Sequence, residues 1–227
     1  MPSSHSSLMD DQTGEEDDVE SGGLSHAFFT HAKIITLVIS REILLFCPRT
    51  FKCLCRCSLP FVPDLFGVIP DSCLGLICLD ANRFKLWNLR INRGISPTVT
   101  LDQEILAISA NRKRIIISTR TKVLIFVLKS LDLIFAMDRG EMTTEVSMGL
   151  LAASKEGKIA FVLADGSVQV MNSFTLYRSE PTKAHTSPIT ALHLSSEILV
   201  TGSMKGTIIR VFSYLFKYCF WPMAKKR

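Results

Sequence analysis

The chain has 227 residues, of which 47% are hydrophobic and 21% are charged, the usual balance of a globular protein with a substantial core. Its charge is unevenly distributed. Residues 1–23 carry seven acids and no Lys or Arg, whereas the remainder carries 26 basic against 14 acidic side chains. A body that basic favours anionic partners, namely lipid headgroups, nucleic acid or acidic protein tails, and charge alone does not choose among them.

Several function classes are disfavoured. The first strong apolar stretch, residues 33–40, is too short for a bilayer, which takes roughly 20 apolar residues, and no secretory signal opens the chain. Seven cysteines then predict a cytosolic protein with reduced thiols. The tight cluster Cys47, Cys53, Cys55 and Cys57 lacks the paired C-x₂₋₄-C spacing of zinc sites, so we expect apolar packing rather than metal binding or palmitoylation. No GxSxG, GxxxxGK[ST] or HExxH motif is present, which predicts a non-enzyme without cofactor.

Three segments differ in character along the chain. Residues 1–23 are polar and acidic and bury too little apolar surface to offset their ordering entropy, which predicts a disordered tail. Residues 24–213 consist of short apolar runs separated by turn residues, which predicts an all-β domain. Residues 214–227 form a divergent aromatic and basic tail, either an interfacial membrane anchor or a non-homologous extension. The predicted strands are 34–39, 43–46, 74–79, 84–89, 115–118, 123–128, 159–163, 167–171, 198–201 and 207–212.

Turns and a repeat organise these strands. Ala164-Asp165-Gly166 and Met204-Lys205-Gly206 each separate two runs, and Asp-Gly is among the strongest hairpin signals. A run ending in an aromatic or large residue recurs every 39–45 residues, at Phe46, Trp87, Phe126, Met171 and Phe212. This period is typical of propeller blades, whose faces are buried only against neighbouring blades. The sequence predicts an incomplete WD-repeat-like β-propeller, about five blades of an expected seven. A β-sandwich with regular turns is the alternative.

The most specific motif is AHTSPITALHLSSEILVTGSMKGTIIRVFS, residues 184–213. It resembles the fifth blade of the PROPPINs, the phosphoinositide-binding β-propellers of autophagy, with their pattern AH-x-SP-(I/L)-x-AL…LATAS-x-KGT-(I/V)-IRVF. Residues 104–134, with the run AISANRKR, resemble the third blade of the same family. The resemblance extends over about residues 103–213 and is weaker over 24–100.

The resemblance implies a lipid pocket between blades 5 and 6. A phosphomonoester needs charge-assisted donors and close backbone approach. Arg210 offers a fixed fork of donors, and Gly206 lets the backbone approach without a Cβ. A structural role is the alternative at each position, because a His and a Ser or Thr often form a hydrogen-bond network inside a WD blade. The predicted phosphoinositide-binding residues are His185, Thr201, Ser203, Gly206, Thr207 and Arg210.

The chain departs from the family in one respect. PROPPINs follow IRVF with an Arg-Arg-Gly motif whose arginines each anchor one lipid pocket. No Arg-Arg-Gly occurs here, and Arg227 is the only arginine after Phe212. Losing one charged hydrogen bond to phosphate costs about 1.5–3 kcal/mol, so weakened lipid binding is expected.

Two functions therefore remain open. The first is a membrane-recruited scaffold of autophagosome formation that binds phosphatidylinositol 3-phosphate or the 3,5-bisphosphate. It would be cytoplasmic and peripherally associated with phagophore, endosomal or vacuolar membranes, with autophagy proteins and no nucleic acid as partners. The second is a truncated scaffold for protein–protein interaction with weak or lost lipid binding. The basic run Arg112-Lys113-Arg114 is either a solvated face or a contact for acidic partner proteins.

Overall fold

The computed structural model describes residues 24–30, 34–70, 72–140, 150–196 and 198–212, with the backbone alone at 24–30, 34 and 210–212. The predicted tails 1–23 and 214–227 lie outside these residues. Within them, every regular element is a β-strand, and none is a helix that could span a membrane. The strands are β1 (Leu24–Thr30), β2 (Ile34–Ile39), β3 (Glu42–Phe46), β4 (Cys53–Ser58), β5 (Phe66–Val68), β6 (Leu74–Asp80), β7 (Arg83–Asn88), β8 (Arg93–Gly94), β9 (Val99–Thr100), β10 (Ile105–Ala110), β11 (Arg114–Thr119), β12 (Lys122–Val127), β13 (Leu133–Asp138), β14 (Leu151–Ala153), β15 (Lys158–Val162), β16 (Val168–Asn172), β17 (Ile189–Leu194), β18 (Ile198–Ser203) and β19 (Ile208–Phe212).

These strands form five separate antiparallel sheets, each built from consecutive strands, which we call blades 1 to 5. Blade 1 is β1–β4, blade 2 is β5–β9, blade 3 is β10–β13, blade 4 is β14–β16 and blade 5 is β17–β19. In blade 2 both β8 and β9 pair with β7, so that the outer strand is interrupted. Five small sheets in series confirm the predicted all-β propeller and exclude the two facing sheets of a sandwich.

The core lies between the blades rather than inside any one of them. One buried apolar cluster joins each consecutive pair of blades, from blades 1 and 2 through to blades 4 and 5. Blade 3 is apolar on both faces, since the consecutive residues Ile115, Ile116 and Ile117 are all fully buried. Between blades 2 and 3 the rings of Phe84 and Phe126 meet edge to face, with centroids 5.4 Å apart. Each middle blade is stable only because neighbours cover both of its faces.

The second and third strands of each blade share one pairing register. The large residue near the end of the third strand pairs as Ile35 with Phe46, Ile115 with Phe126 and Ile159 with Met171. Phe46, Phe126 and Met171 are three of the repeat positions in the sequence. In blade 5 the corresponding pair is Leu199 with Val211, so the register corrects the fifth repeat position from Phe212 to Val211.

The predicted hairpin turns are present in blades 4 and 5. Gly166 and Gly206 have φ of +77° and +75°, and each donates its N–H to a carbonyl three residues earlier at 2.9 Å. Glycine suits both positions because the left-handed region carries no Cβ penalty for it. The six cysteines within the described residues are free thiols, and no cluster of metal-ligand side chains occurs in this part of the chain.

Candidate functional site in blade 5

An imidazole and three hydroxyls form one hydrogen-bond network at the start of blade 5. His185 precedes β17 and is only 8% exposed. Its Nε2 lies 2.8 Å from Thr201 Oγ1 and 3.3 Å from the Thr201 carbonyl oxygen. Its Nδ1 lies 3.1 Å from Thr207 Oγ1, which in turn lies 2.6 Å from Ser203 Oγ. The structure therefore brings together four of the six residues predicted from the sequence.

The partners fix the direction of these hydrogen bonds. A carbonyl oxygen only accepts, so Nε2 of His185 carries the proton and donates towards Thr201. In the neutral ring Nδ1 then accepts from the Thr207 hydroxyl, and Ser203 donates to Thr207. In this arrangement the Thr207 proton points to His185 and the Ser203 proton points to Thr207. An anion at the exposed side of Thr207 would gain a donor only after that proton is redirected.

The hairpin turn holds the outer end of this network in place. Ser203 donates its N–H to the Thr207 carbonyl at 2.9 Å and closes the turn that contains Gly206. A Cβ at Gly206 would have no neighbour within 4 Å, so a larger side chain would fit there without a clash. Glycine is favoured at this position because of its positive φ. Thr207 is exposed just beyond the turn, while Ser203 is buried. Gly206 therefore shapes the hairpin, and Thr207 is the hydroxyl of the network that is open to solvent.

Arg210 occupies a position on the opposite face of this sheet. Thr201 of β18 pairs with Ile209 of β19, whereas Arg210 of β19 pairs with Val200 of β18. Because neighbouring residues of a strand alternate between faces, the position of Arg210 belongs to the face turned away from the network. Its side chain is outside the described part of the chain. The six predicted residues thus divide between the two faces and the connecting turn of one hairpin.

The position that Arg210 occupies in blade 5 holds an apolar residue in each of the other four blades. The shared register assigns it to Leu45, Leu86, Ile125 and Val170 in blades 1 to 4. Each of these side chains is buried in the cluster shared with the following blade. An arginine replaces a core residue only in blade 5. This internal comparison singles out Arg210 more sharply than its surroundings in the sequence do.

Gly202 is a further member of this face that the sequence analysis did not assign to the site. It pairs with Ile208, and its equivalents in the other blades are Val38, Cys78, Ser118 and Val162. A Cβ at Gly202 would meet only the Cβ of Ala191, at 3.4 Å. The surface beside Arg210 is therefore low and open. Aligning the five blades with one another would have revealed this residue, because only the repeat shows which side chain is missing.

A buried cation lies at the boundary of blades 3 and 4. Arg139 follows β13 and donates from Nη2 to the Thr119 carbonyl. Burial lowers the pKa of its guanidinium to about 10, because no water stabilises the charge there. Its Nε and Nη1 have no hydrogen-bond partner among the described residues. It sits two blades away from Arg210 and takes no part in the blade 5 arrangement.

Known proteins share both this fold and parts of this sequence. No family model matches the chain. It is 34% identical over 113 residues to autophagy-related protein 18 of Dictyostelium discoideum, covering 48% of this chain and 30% of that protein. It is 32% identical over 151 residues to WD repeat domain phosphoinositide-interacting protein 2 of Mus musculus, covering 63% and 33%. The chain is a relative of the PROPPIN propellers. The match spans about a third of the length of these PROPPINs.

Solved PROPPIN structures show the same architecture. The chain superposes on the complex of KlAtg21 with the coiled-coil of AgAtg16 with a TM-score of 0.67 at 15% identity, over 83% of this chain and 65% of that one. It superposes on Kluyveromyces lactis Hsv2 with a TM-score of 0.62 at 14% identity, over 79% and 57%. At such identity the likeness establishes the fold alone. Both solved chains extend well beyond the part that is matched.

Proposed function

We propose that blade 5 binds the phosphomonoester of phosphatidylinositol 3-phosphate or the 3,5-bisphosphate, and that the chain acts as a membrane-recruited scaffold in autophagosome formation. The observation that carries this proposal is the arginine at position 210, where blades 1 to 4 have a buried aliphatic residue. A charge at a core position is costly unless a partner neutralises it. A phosphate accepts two parallel hydrogen bonds from one guanidinium and so fits this position.

The surroundings of Arg210 support the same chemistry. Gly202 leaves room on the same face, and Thr207 stands exposed at the end of the hairpin. His185 is almost fully buried, with both ring nitrogens engaged inside the blade. We therefore assign His185 and Thr201 the role of positioning Thr207, and Arg210 the role of contacting phosphate. The autophagy role and the peripheral membrane location rest on the names of the relatives, one of which is called phosphoinositide-interacting.

Vesicle binding tests the proposal directly. The purified chain is sedimented with phosphatidylcholine vesicles that contain phosphatidylserine, with and without phosphatidylinositol 3-phosphate. We expect the phosphoinositide to increase binding, and Arg210→Ala/Thr207→Ala to reduce that increase about ten- to a hundredfold, since each charged hydrogen bond contributes about 1.5–3 kcal/mol. Arg120→Ala is the matched control, because Arg120 is an exposed arginine in the corresponding turn of blade 3. Equal binding to both kinds of vesicle would refute the proposal.

A scaffold without lipid binding is the second candidate, and one surface favours it. Lys113 and Arg114 lie over the ring of Phe174, at 5.9 and 5.6 Å from its centroid, and Phe174 is itself partly exposed. A cationic and aromatic surface of this kind suits an acidic protein segment. The AgAtg16 coiled-coil is the probe, because a structural relative is solved in complex with it. This function would be favoured over the first by two results together. The chain would bind the coiled-coil and lose that binding on Lys113→Glu, and the phosphoinositide would not increase its binding to vesicles.

A further inference from the structure

The residue that follows the outer strand occupies the same place in blades 1, 2 and 3. Leu59, Leu101 and Arg139 each donate their N–H to the carbonyl of the residue just before the third strand, at 2.8–2.9 Å. Leu59 is buried in the cluster between blades 1 and 2, and Leu101 packs against the cluster between blades 2 and 3. Arg139 is 4% exposed at the boundary of blades 3 and 4. A guanidinium therefore stands where the two preceding blades place a leucine in the core.

Ser118, on the second strand of blade 3, shows a similar exchange of an apolar for a polar residue. Its equivalents in blades 1, 2 and 4 are Val38, Cys78 and Val162. Each of these three is buried in the cluster shared with the following blade. The Ser118 hydroxyl is fully buried and has no hydrogen-bond partner among the described residues. Blade 3 thus carries two polar side chains at positions that are apolar core in the blades before it.

These two side chains belong to the same end of the interface with blade 4. Ser118, Val123 and Met137 lie side by side across three strands of blade 3, on the face that packs against blade 4. Arg139 lies two residues beyond Met137, and residues two apart in a strand share a face. Its Nη2 donates to the carbonyl of Thr119, the residue next to Ser118. The guanidinium and the serine hydroxyl therefore meet at one edge of this apolar cluster.

The charge of Arg139 is not balanced by an acid within the described ranges. Its Nε and Nη1 have no hydrogen-bond partner there, and no ion pair in this part of the chain includes it. Asp138 is exposed and, as the preceding residue, belongs to the opposite face. Arg178 of blade 4 adds a second guanidinium to this edge, with its Nη1 3.1 Å from Met137 Sδ. A buried charge is costly unless an opposite charge accompanies it.

We propose that Arg139 and Ser118 form an anion site at the boundary of blades 3 and 4, and that its ligand is a free oxyanion of the phosphate class. Such an ion accepts several N–H and O–H donors at once and neutralises the guanidinium, whereas water would satisfy the donors and leave the charge. Burial favours a small free ion over a headgroup held in a membrane surface. The neighbouring Gly140 is exposed, so the site lies one residue from solvent. This proposal does not depend on the site proposed in blade 5.

Inorganic phosphate is the probe for this site. The melting temperature of the 227-residue chain is measured against phosphate concentration, with sodium chloride keeping the ionic strength constant, and calorimetric titration gives the affinity. We expect a saturable rise in melting temperature, about 3–6 °C at a tenfold excess over the dissociation constant. Arg139→Leu introduces the residue of blades 1 and 2. It should lose this rise and, without phosphate, should melt no lower than the unchanged chain.

Two further variants sharpen the test. Ser118→Val keeps the guanidinium and removes one hydroxyl, so it should weaken phosphate binding about ten- to a hundredfold. Arg120→Ala changes an exposed arginine in the turn next to the site and should keep the full rise. Because Ser118→Val introduces the valine of blades 1 and 4, it tests the site even if Arg139→Leu does not fold.

Four results would overturn the proposal. The unchanged chain shows no rise with phosphate, or Arg139→Leu retains the rise in full. Arg210→Ala loses the rise while Arg139→Leu keeps it, which would assign the phosphate to blade 5. Arg139→Leu removes phosphoinositide-dependent binding to vesicles, which would make the ligand a lipid headgroup instead of a free ion. Loss of the rise in Arg139→Leu, with the vesicle binding of that variant unchanged, would support the proposal whether or not blade 5 binds a phosphoinositide.

Discussion

Blades 4 and 5 share their strand arrangement and pairing register and differ in the residues on the face turned towards the following blade. Each contains three of the described strands, pairs its second and third strands in the same register and turns at a left-handed glycine. The face of blade 4 that meets the next blade contains Val162 and Val170, both buried. The same positions in blade 5 hold Gly202 and Arg210.

Two side chains therefore distinguish a packing face from a candidate binding site. In blade 4 the valines fill the interface with blade 5, and the hydrophobic effect holds the two sheets together. In blade 5 a glycine removes volume and an arginine adds charge at the same two positions. The same blade backbone accommodates either the two buried valines of blade 4 or the glycine and arginine of blade 5. The function of a blade then depends on the few positions where it departs from its neighbours.

The largest effect is expected when the arginine is moved into blade 4. Val170→Arg places a guanidinium in the buried apolar cluster between blades 4 and 5. An uncompensated buried charge costs about 3–5 kcal/mol, so we expect much of the stability of the chain to be lost. Urea denaturation followed by circular dichroism measures the change. A stable Val170→Arg variant would show that the two faces are not equivalent.

The reciprocal change tests the function of blade 5. Arg210→Val restores the residue type found in blades 1 to 4, and we expect the phosphoinositide-dependent part of vesicle binding to fall about ten- to a hundredfold. The free energy of unfolding should stay the same or rise, because the aliphatic side chain that blades 1 to 4 carry at this position replaces a charge. Vesicle sedimentation and urea denaturation on the same preparation check both statements. Undiminished binding would remove Arg210 from the site.

An intermediate effect is expected at His185, where stability and binding should change together. His185→Ala leaves the Thr201 hydroxyl, which is fully buried, without its main partner, and such a loss costs about 1–3 kcal/mol. Binding should weaken as well, because Thr207 is no longer oriented. His185→Gln keeps one donor and one acceptor and should recover part of both losses. If His185→Ala abolished binding at full stability, His185 would be a direct ligand instead.

The smallest effect concerns the turns, where blade 4 has Asp165 and blade 5 has Lys205. Ser167 donates its hydroxyl to Asp165 Oδ1 at 2.6 Å and its N–H to the same oxygen at 2.9 Å. These bonds lower the pKa of the Asp165 carboxyl. A lowered folded-state pKa contributes stability above the unfolded pKa of about 4, and this contribution is lost as the pH falls through the folded value.

Asp165→Asn should therefore flatten the loss of stability on acidification below about pH 4, by a small amount because the carboxyl is largely exposed to water. Ser167→Ala should flatten it in part, since it removes the hydroxyl donor and keeps the backbone N–H that also favours the ionised form. Thermal melts between pH 2.5 and 5 measure the slope. An unchanged slope in both variants would show that the turn of blade 4 does not contribute to acid sensitivity.

Much of the fold could be predicted from the sequence because its signals are local. The turn Ala164-Asp165-Gly166 and the runs on either side of it define a hairpin without further context. The period of the large residues Trp87, Phe126 and Met171 predicts the blades, because each blade repeats the same contact with its predecessor. The last repeat position moved from Phe212 to Val211, since the sequence fixes a strand more readily than its register.

The sequence by itself determined the all-β class, the blade repeat and the group of polar residues in blade 5, because alternation, turn residues and period are properties of neighbouring residues along the chain. Only the tertiary structure showed that Arg210 and His185 belong to opposite faces and that Arg210 replaces a core aliphatic residue. These properties depend on pairing register and on contacts between blades, and both join residues far apart in sequence.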